Sequence, residues 1–547
     1  MAEAATTALR ELRRKRQLNR LGSLDWFDAA YRVYLFGGFG GGGVLWLSSS
    51  LGDADVSASA ADAVLRHGPS VLGLLAALVL LAGVRGGAQG GPLALEAADV
   101  VHVMLAPVDR RAALRRPAVQ RLRSAVFAGA VAGAVVGQLA GRRLPGSLLA
   151  WASGGALYGA TVAFGWMGLG LLAHTLRVPR WAATCGGLAV LAWQGAAVAW
   201  PRVPGPLDTV GSLGLWGWRQ QAIDLVPVAL AVASVVAGFA LLRGISLDAL
   251  ARRSSLVAQL RFAVTMQDLR TVVLLRRQLN QEHSRRRPYL RLRANGGSSS
   301  FTRHVWRRGW HGLLRFPVTR LVRMAALAAG MGVLQAATVR GTTPAFIGTA
   351  VLGFVLGLEA MEPLSQEIDQ PDRADALPVP RGELLFRHLF APAVLLVPFA
   401  AVAGVAAFLT LGANPDALAP VAVLALPTVW SGCLGGVISI VRDAPDPTGG
   451  SSQQAFMPPE MVGFSSAIRL LWPIIVASLA TCTALLPRLA LQRGDSLVGA
   501  AVRGAVGCLL LTGVVAYWVR VRDKVRASVA RFMEEGRQQT AAQRRSA

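Results

Sequence analysis

Twelve stretches of about twenty predominantly apolar residues recur along this 547-residue chain, each long enough to cross a bilayer as a helix. They fall near 33–50, 68–86, 124–141, 147–173, 181–200, 223–243, 319–339, 343–361, 389–412, 418–441, 467–488 and 497–519. A hydrocarbon core about 30 Å thick needs roughly 20 helical residues, and a helix satisfies its own backbone hydrogen bonds where no water can. Composition agrees: 53% of residues are hydrophobic and 16% charged, against roughly a quarter charged in soluble proteins. The expected fold class is an all-α polytopic membrane protein of about twelve transmembrane helices, arranged as two six-helix repeats. The first run, around LFGGFGGGGVLWL, is the weakest helix former because it is rich in glycine, although glycine suits close packing between membrane helices.

Charge sets the orientation. The chain carries 56 basic and 30 acidic residues, and cytoplasmic loops retain Lys and Arg. With the N-terminus inside, inner segments hold 47 of the basic residues, outer loops hold eight, and Arg503 lies in the last helix. Both termini are then cytoplasmic. The implied organisation is a basic N-terminus at 1–32, a first six-helix unit at 33–243 with inner loop 87–123, and a linker at 244–318. A second six-helix unit at 319–519 with inner loop 362–388 and a basic tail at 520–547 complete it. Residues 243–323 hold 18 Arg against Asp248, Asp268 and Glu282. A helix leading into the seventh crossing, with Trp306 and Trp310 among arginines, has the pattern of an interfacial helix, and Trp26 with Phe27 marks its counterpart before the first. Such charge suits anionic lipid, and nucleic-acid binding is not needed to explain it.

Several chemistries are excluded. The only lysines are Lys15 and Lys524, and neither follows a glycine, so the chain has no GxxxxGK[ST] loop for nucleotide phosphates. No HExxH, GxSxG or pair of intramembrane acids points to an enzyme, and no catalytic residue is expected. Cys185, Cys433, Cys482 and Cys508 lie far apart inside apolar stretches and read as small buried hydrophobes, with no metal site. Ionisable groups near the membrane sit toward helix ends, as with Asp224, His174 and Glu359, while deeper positions hold Gln138, Gln194 and Gln335.

The loop after the second helix of each half repeats. The first reads LALEAADVVHVMLAPVDRRAALRRP from Leu93, and the second LGLEAMEPLSQEIDQPDRADALPVPRGELLFRH from Leu356. Without gaps, residues 95–130 match 358–393 at 12 of 36 positions, pairing Glu96 with Glu359 and Arg110 with Arg373. An eight-residue insertion instead pairs Pro107, Val108 and Arg110 with Pro378, Val379 and Arg381, and Leu114 with Leu385, keeping a compact motif together. Leu93, Ala97, Val100, Val101 and Met104 share one helical face, which predicts that the second helix continues past the lipid until Pro107 stops it. A turn at Asp109 and Arg110 and a basic helix then lead into the third crossing.

An acidic residue on an extended second helix, followed by L-x-x-P-V-x-R and a returning helix, resembles the permease subunits of ABC-2-type exporters. The resemblance covers mainly Leu95 to Pro117 and more loosely Glu359 to Arg387. It implies a fused, double-length permease in the cytoplasmic membrane of a bacterium, with a coupling element in each inner loop: Glu96, Pro107, Val108, Asp109 and Arg110, then Glu359, Pro378, Val379 and Arg381. The implied partners are two copies of a separate ATP-binding subunit, or two different ones, with ATP and Mg held there rather than in this chain. The implied substrate is small and apolar or amphipathic. The second loop departs from the pattern, since residues 362–388 carry six acids against Arg373, Arg381 and Arg387. A second reading of Glu96 and Glu359 is that they pair with charges at helix ends. A second function class is a major-facilitator-like secondary transporter, which also has twelve helices in two sixes. The absence of a Gly-x-x-x-Asp-Arg-type motif between helices two and three, and of a mid-membrane carboxylate, counts against it.

Overall fold

The computed structural model describes residues 58–88, 109–200, 202–248, 300–370, 381–442 and 471–546, with isolated residues outside these stretches. All regular structure among them is helical. Ten described helices are long and apolar enough to cross a membrane, or eleven if the bent pair Ala345–Ala360 and Glu362–Ile368 forms one span. The chain is therefore a multi-pass α-helical membrane protein. Eleven of the twelve apolar runs coincide with these helices, and the run near 33–50 lies mostly outside the described residues. Contacts divide the chain into two compact units, Met1–Leu275 and Arg276–Ala547.

The first unit contains α1 (Ala58–Ala88), α2 (Arg110–Gly141), α3 (Leu148–Thr175), α4 (Arg180–Ala199), the short α5 (Asp208–Gly214) and α6 (Trp216–Arg219), and α7 (Val226–Ala240). Apolar burial drives little association between helices already in lipid, so close contact there relies on small residues and polar pairs. On α2, Gly129, Gly133 and Gly137 recur every four residues and meet the α3 backbone at Gly159, Gly155 and Trp151. A methyl group on Gly133 would sit 2.0 Å from the Gly155 carbonyl oxygen, and one on Gly159 would sit 2.0 Å from that of Gly129. Away from this seam Phe127, Val131 and Val136 are exposed, as a lipid-facing surface requires.

Polar groups hold the α4–α7 connection. Gln194 is fully buried, with Nε2 donating to the Ser70 carbonyl at 3.0 Å and to Asp208 Oδ1 at 2.7 Å, while its Oε1 accepts from the Leu207 amide at 3.0 Å. Asp208 Oδ2 accepts from the Gly205 amide at 2.6 Å. These bonds fix the start of α5, whose Gly211, Ser212 and Leu213 are buried. At the other end of the unit, His174 Nε2 accepts from the Ser246 amide at 3.3 Å, which leaves Nδ1 to donate to the Gly87 carbonyl at 3.1 Å.

Two sequence expectations for this unit need correction. The second crossing does not run on to Pro107: α1 stops at Ala88, and Gly91, at φ +82°, turns its amide back onto the Gly86 and Gly87 carbonyls. Leu93 and Leu95 then tuck into the core. Cys185, expected to be buried, is exposed on α4, whereas Cys433 and Cys508 are buried as expected. The basic helix and third crossing form one 32-residue helix, α2, which passes through Pro117.

The second unit begins with α8 (Phe301–Leu313), α9 (Val318–Val339) and α10 (Ala345–Ala360), which bends by 63° into α11 (Glu362–Ile368). It continues with α12 (Arg381–His388), α13 (Phe390–Thr410), α14 (Pro415–Gly432) and α15 (Leu434–Arg442). The span Leu471–Arg493 ends in α16 (Leu485–Arg493), and α17 (Leu497–Ser546) carries the last crossing on through the basic tail. A core of Met324, Met331, Leu356, Leu364, Cys433 and Val519 runs through the unit. α11, about two turns long, is buried at six of its seven residues.

The α2–α3 seam yields a test. Gly133→Val is expected to destabilise the first unit by about 1–3 kcal/mol or more, because the facing backbone cannot retreat as a flexible side chain could. Gly513→Ala, with nothing within 4 Å of the added carbon, is the neutral control. Thermal melting of both variants in detergent checks the difference.

Candidate functional site

The bend after α10 is where the second inner loop leaves the bilayer helix, and four charged side chains converge on it. Glu359 lies in the last turn of α10 and Glu362 opens α11, while Arg320 and Arg323 lie in the first two turns of α9. Arg323 Nη2 donates to Glu359 Oε2 at 2.7 Å, and Arg320 Nη2 donates to Glu362 Oε2 at 3.1 Å and to the Glu359 carbonyl oxygen. Arg320 Nε lies 3.1 Å from Glu359 Oε2, a charge contact without hydrogen-bond alignment. The Arg320 guanidinium also stacks 3.8 Å over the Phe316 ring. Glu359, Glu362 and Arg320 are all buried. Arg320 thereby satisfies a carbonyl that the bend removes from the α10 ladder, which is how a sharp break survives inside a packed unit.

A third acid lies further along α11. Glu367, on α11, is 1% exposed and receives Arg308 Nη2 from α8 at 2.7 Å, with His388 Nε2 from the end of α12 at 3.6 Å. Neither contact is an aligned hydrogen bond; the Arg308 contact is an ion pair, and the His388 contact is one only when that ring is protonated. α8 turns Val305, Gly309 and Leu313 inward, and Trp306 and Trp310 pack edge to face at 5.8 Å against the core. The helix expected at the lipid interface thus also clamps the inner loop of its own unit. At the start of α12, Glu383 bridges Arg387 at 3.0 Å and Arg520 of α17 at 2.7 Å, and Gly382 touches the α17 backbone.

The first unit builds the equivalent place differently. Asp109 caps α2 by accepting from the Arg111 amide at 3.3 Å and pairs with Arg243 at 3.3 Å. Partial desolvation raises its pKa, but the Arg111 amide, the Arg243 guanidinium and the Ala112 amide outweigh that and hold the carboxyl below 3.8. Arg110, Arg111, Arg115 and Arg116 are exposed along this first stretch, while Ala113, Leu114 and Ala118 are buried against Met167, Leu171 and Leu242. Arg110, Arg111 and Arg115 thus present their guanidinium groups outward, with no carboxylate on their own helix.

The residues proposed for coupling therefore divide. Arg110 and Arg381 each open the helix that returns to the membrane, and Leu114 and Leu385, four residues after them, are each buried. That register fits the pairing with an eight-residue insertion. Asp109 and Arg110 lie at a surface, Val379 and Arg381 are half-buried, and Glu359 is buried in ion pairs. Glu96, Pro107, Val108, Pro378, Trp26 and Phe27 lie outside the described residues. The partners Arg308, Arg320, Arg323 and His388 were not singled out in the sequence, where the arginines read only as part of the inner charge. Their spacing did carry a signal: Arg320 and Arg323 lie three apart on one helical face, and Glu359 and Glu362 lie three apart on either side of the bend. No group of three or more candidate metal ligands occurs among the described residues.

The chain belongs to a family of unknown function, DUF6297, whose model matches residues 65–448. No curated protein and no solved structure matches it. The matched region takes in both inner loops and the whole ion-pair cluster.

Two measurements test this site. Glu359→Ala leaves Arg320 buried beside one remaining acid and is expected to lower stability by about 3–5 kcal/mol, whereas Arg320→Met with Glu359→Met should recover much of the loss. Detergent melting of the two single variants and the double variant reads this non-additivity. For Asp109, the folded pKa lies below the unfolded value, so its contribution is present above pH 3.8 and is lost as pH falls through the lower folded value. Asp109→Ala should therefore melt below wild type at neutral pH, and the gap should narrow progressively under acid.

Proposed function

We propose that this protein is the membrane-spanning subunit of an ATP-driven exporter of the ABC-2 type, moving a small apolar or amphipathic substrate with ATP and Mg held by separate subunits. The observation that carries the reading is the inner-loop element that recurs in both halves and opens a returning helix at Arg110 and at Arg381. The two compact units and the absence of a Walker lysine in the sequence support the same arrangement. In this reading the chain is two six-helix repeats, twelve crossings in all, with both termini cytoplasmic in a bacterial plasma membrane. It carries out no chemistry of its own.

The two loops divide the work. The outward arginines at 110, 111 and 115 form the principal ATPase contact, because exposed guanidinium groups are available to carboxylates on a partner. In the second half, Glu359, Glu362 and Glu367 are engaged by arginines of α8 and α9, so that loop transmits movement into its own unit. A partner that displaces α12 or α11 moves α8, α9 and α17 with it, since ion pairs join all of them.

The test is affinity purification of the full chain from its native membrane, with co-purifying chains identified by mass spectrometry. An ATP-binding chain carrying its own P-loop is expected. Substituting Arg110 and Arg111 together by Glu should reduce its recovery roughly tenfold or more while insertion into the membrane is unchanged. Recovery of no ATPase chain, with uptake or efflux driven by a proton gradient alone, would establish the secondary-transport reading instead.

A further inference from the structure

At the end of α9 remote from the ion-pair cluster, the second unit holds a cavity of about 270 Å³ between α9, α13, α14, α16 and the start of α17. Arg320 and Arg340 mark the two ends of α9 and lie about 30 Å apart at 1.5 Å per residue, close to the thickness of a bilayer core. Ala336, Val339, Ala407, Leu424 and Leu491 form apolar walls, while Gln335, Arg340, Asn414 and Asp416 supply the polar lining. Two of these polar groups are already engaged. Gln335 Nε2 donates to Thr428 Oγ1 at 3.0 Å, and Asn414 Oδ1 caps α14 by accepting from the Asp416 amide at 3.1 Å.

Arg340 and Asp416 remain. Both are exposed where they line the cavity, and neither side chain forms an ion pair among the described residues. The turn between α13 and α14 that presents Asp416 is fixed by left-handed backbone at Gly412 (φ +87°) and Ala413 (φ +54°). A cavity below the roughly 300–1,000 Å³ of typical small-molecule sites suits one slender chain better than a bulky ring system. The two unpaired charges of opposite sign then select the head. A purely anionic head would be repelled by Asp416, a purely cationic one by Arg340, and a neutral head would desolvate both without replacing their lost hydration. The open groove of about 770 Å³ along α7, by contrast, is lined by apolar side chains alone, including Val232 and Val236, and offers nothing to hold a head group.

We propose that this cavity binds a zwitterionic single-chain amphiphile, its alkyl chain among Val339, Ala407 and Leu424, its anionic group at Arg340 and its cationic group at Asp416. The assignment concerns binding and stands apart from the coupling reading, because it invokes neither inner loop nor ATPase. The experiment titrates the full-length protein, purified in a maltoside detergent, with radiolabelled lysophosphatidylethanolamine, using palmitate and hexadecylamine as competitors at equal detergent concentration. Saturable binding at one site per chain is expected. Arg340→Gln and Asp416→Asn should each weaken it roughly three- to tenfold, and Ala407→Phe should weaken it about tenfold or more by filling the cavity. Reversing both charges together, Arg340→Asp with Asp416→Arg, should restore part of the loss. Thermal melting identifies a misfolded Ala407→Phe protein, in which case the two exposed charge variants decide. Binding that is absent, unchanged in both charge variants, or competed equally by palmitate would overturn the assignment. An intact site in a chain that recruits no ATPase would leave it standing while the proposed coupling fell.

Discussion

In lipid the backbone has no water to bond and the side chains gain little by leaving one apolar medium for another, so whatever is sharp, broken or closely packed must be held by a specific contact. The two units meet that constraint with different means. The first brings two helices to backbone contact through Gly129, Gly133 and Gly137, and ties its α4–α7 connection with a single buried amide at Gln194. The second tolerates a 63° break in α10 because Arg320 reaches the freed carbonyl and the carboxylates on both sides of the break. Removing either device leaves polar groups or voids that the surrounding bilayer cannot satisfy.

The arginines that set orientation have a second use that follows from where they fall. Basic residues retained near one membrane face crowd the start of α9 and the length of α8, and in the second unit the acids of the inner loop turn inward to meet them. Glu359, Glu362 and Glu367 thereby pin α10 and α11 to α8 and α9, and Glu383 joins α12 to α17. In the first unit Asp109 is the one acid at the corresponding helix start, and it is taken up by the cap and by Arg243, so the arginines that follow stay on the outside. The described acids of the second loop are thus engaged within their own unit, whereas the start of α2 presents arginines outward. That difference follows from six acids in one loop and their scarcity in the other.

Legibility in the sequence tracked the range of the physics. Helix existence was readable for eleven of the twelve apolar runs, because bilayer thickness fixes the length of each on its own. The end of α1 was misread, because the apolar face from Leu93 to Met104 has helical spacing. Periodicity gives no weight to one glycine, Gly91, whose left-handed backbone interrupts the helix. Arg110 and Arg381 were found by motif and do open their helices. Glu359 was found too, but with a docking role foremost, since its true neighbours are 36 and 39 residues away and nothing local reveals which charges meet. Pairwise spacing held that information only in combination, three residues apart on α9 and three residues apart across the bend between α10 and α11.

The same cluster bears on how such a chain is energised. A proton-coupled carrier needs a carboxylate that can change charge within the transport path at tolerable cost. Glu359, Glu362 and Glu367 are buried, and each touches an arginine of α8 or α9. They also sit at or beyond the end of α10, where the chain leaves its apolar run, rather than at its middle. Carboxylates so placed act as a fixed lock between helices. A lock of this kind passes displacement from one helix to its neighbours, which supports the proposed reading, in which energy is delivered mechanically, over one in which an ion crosses the bundle.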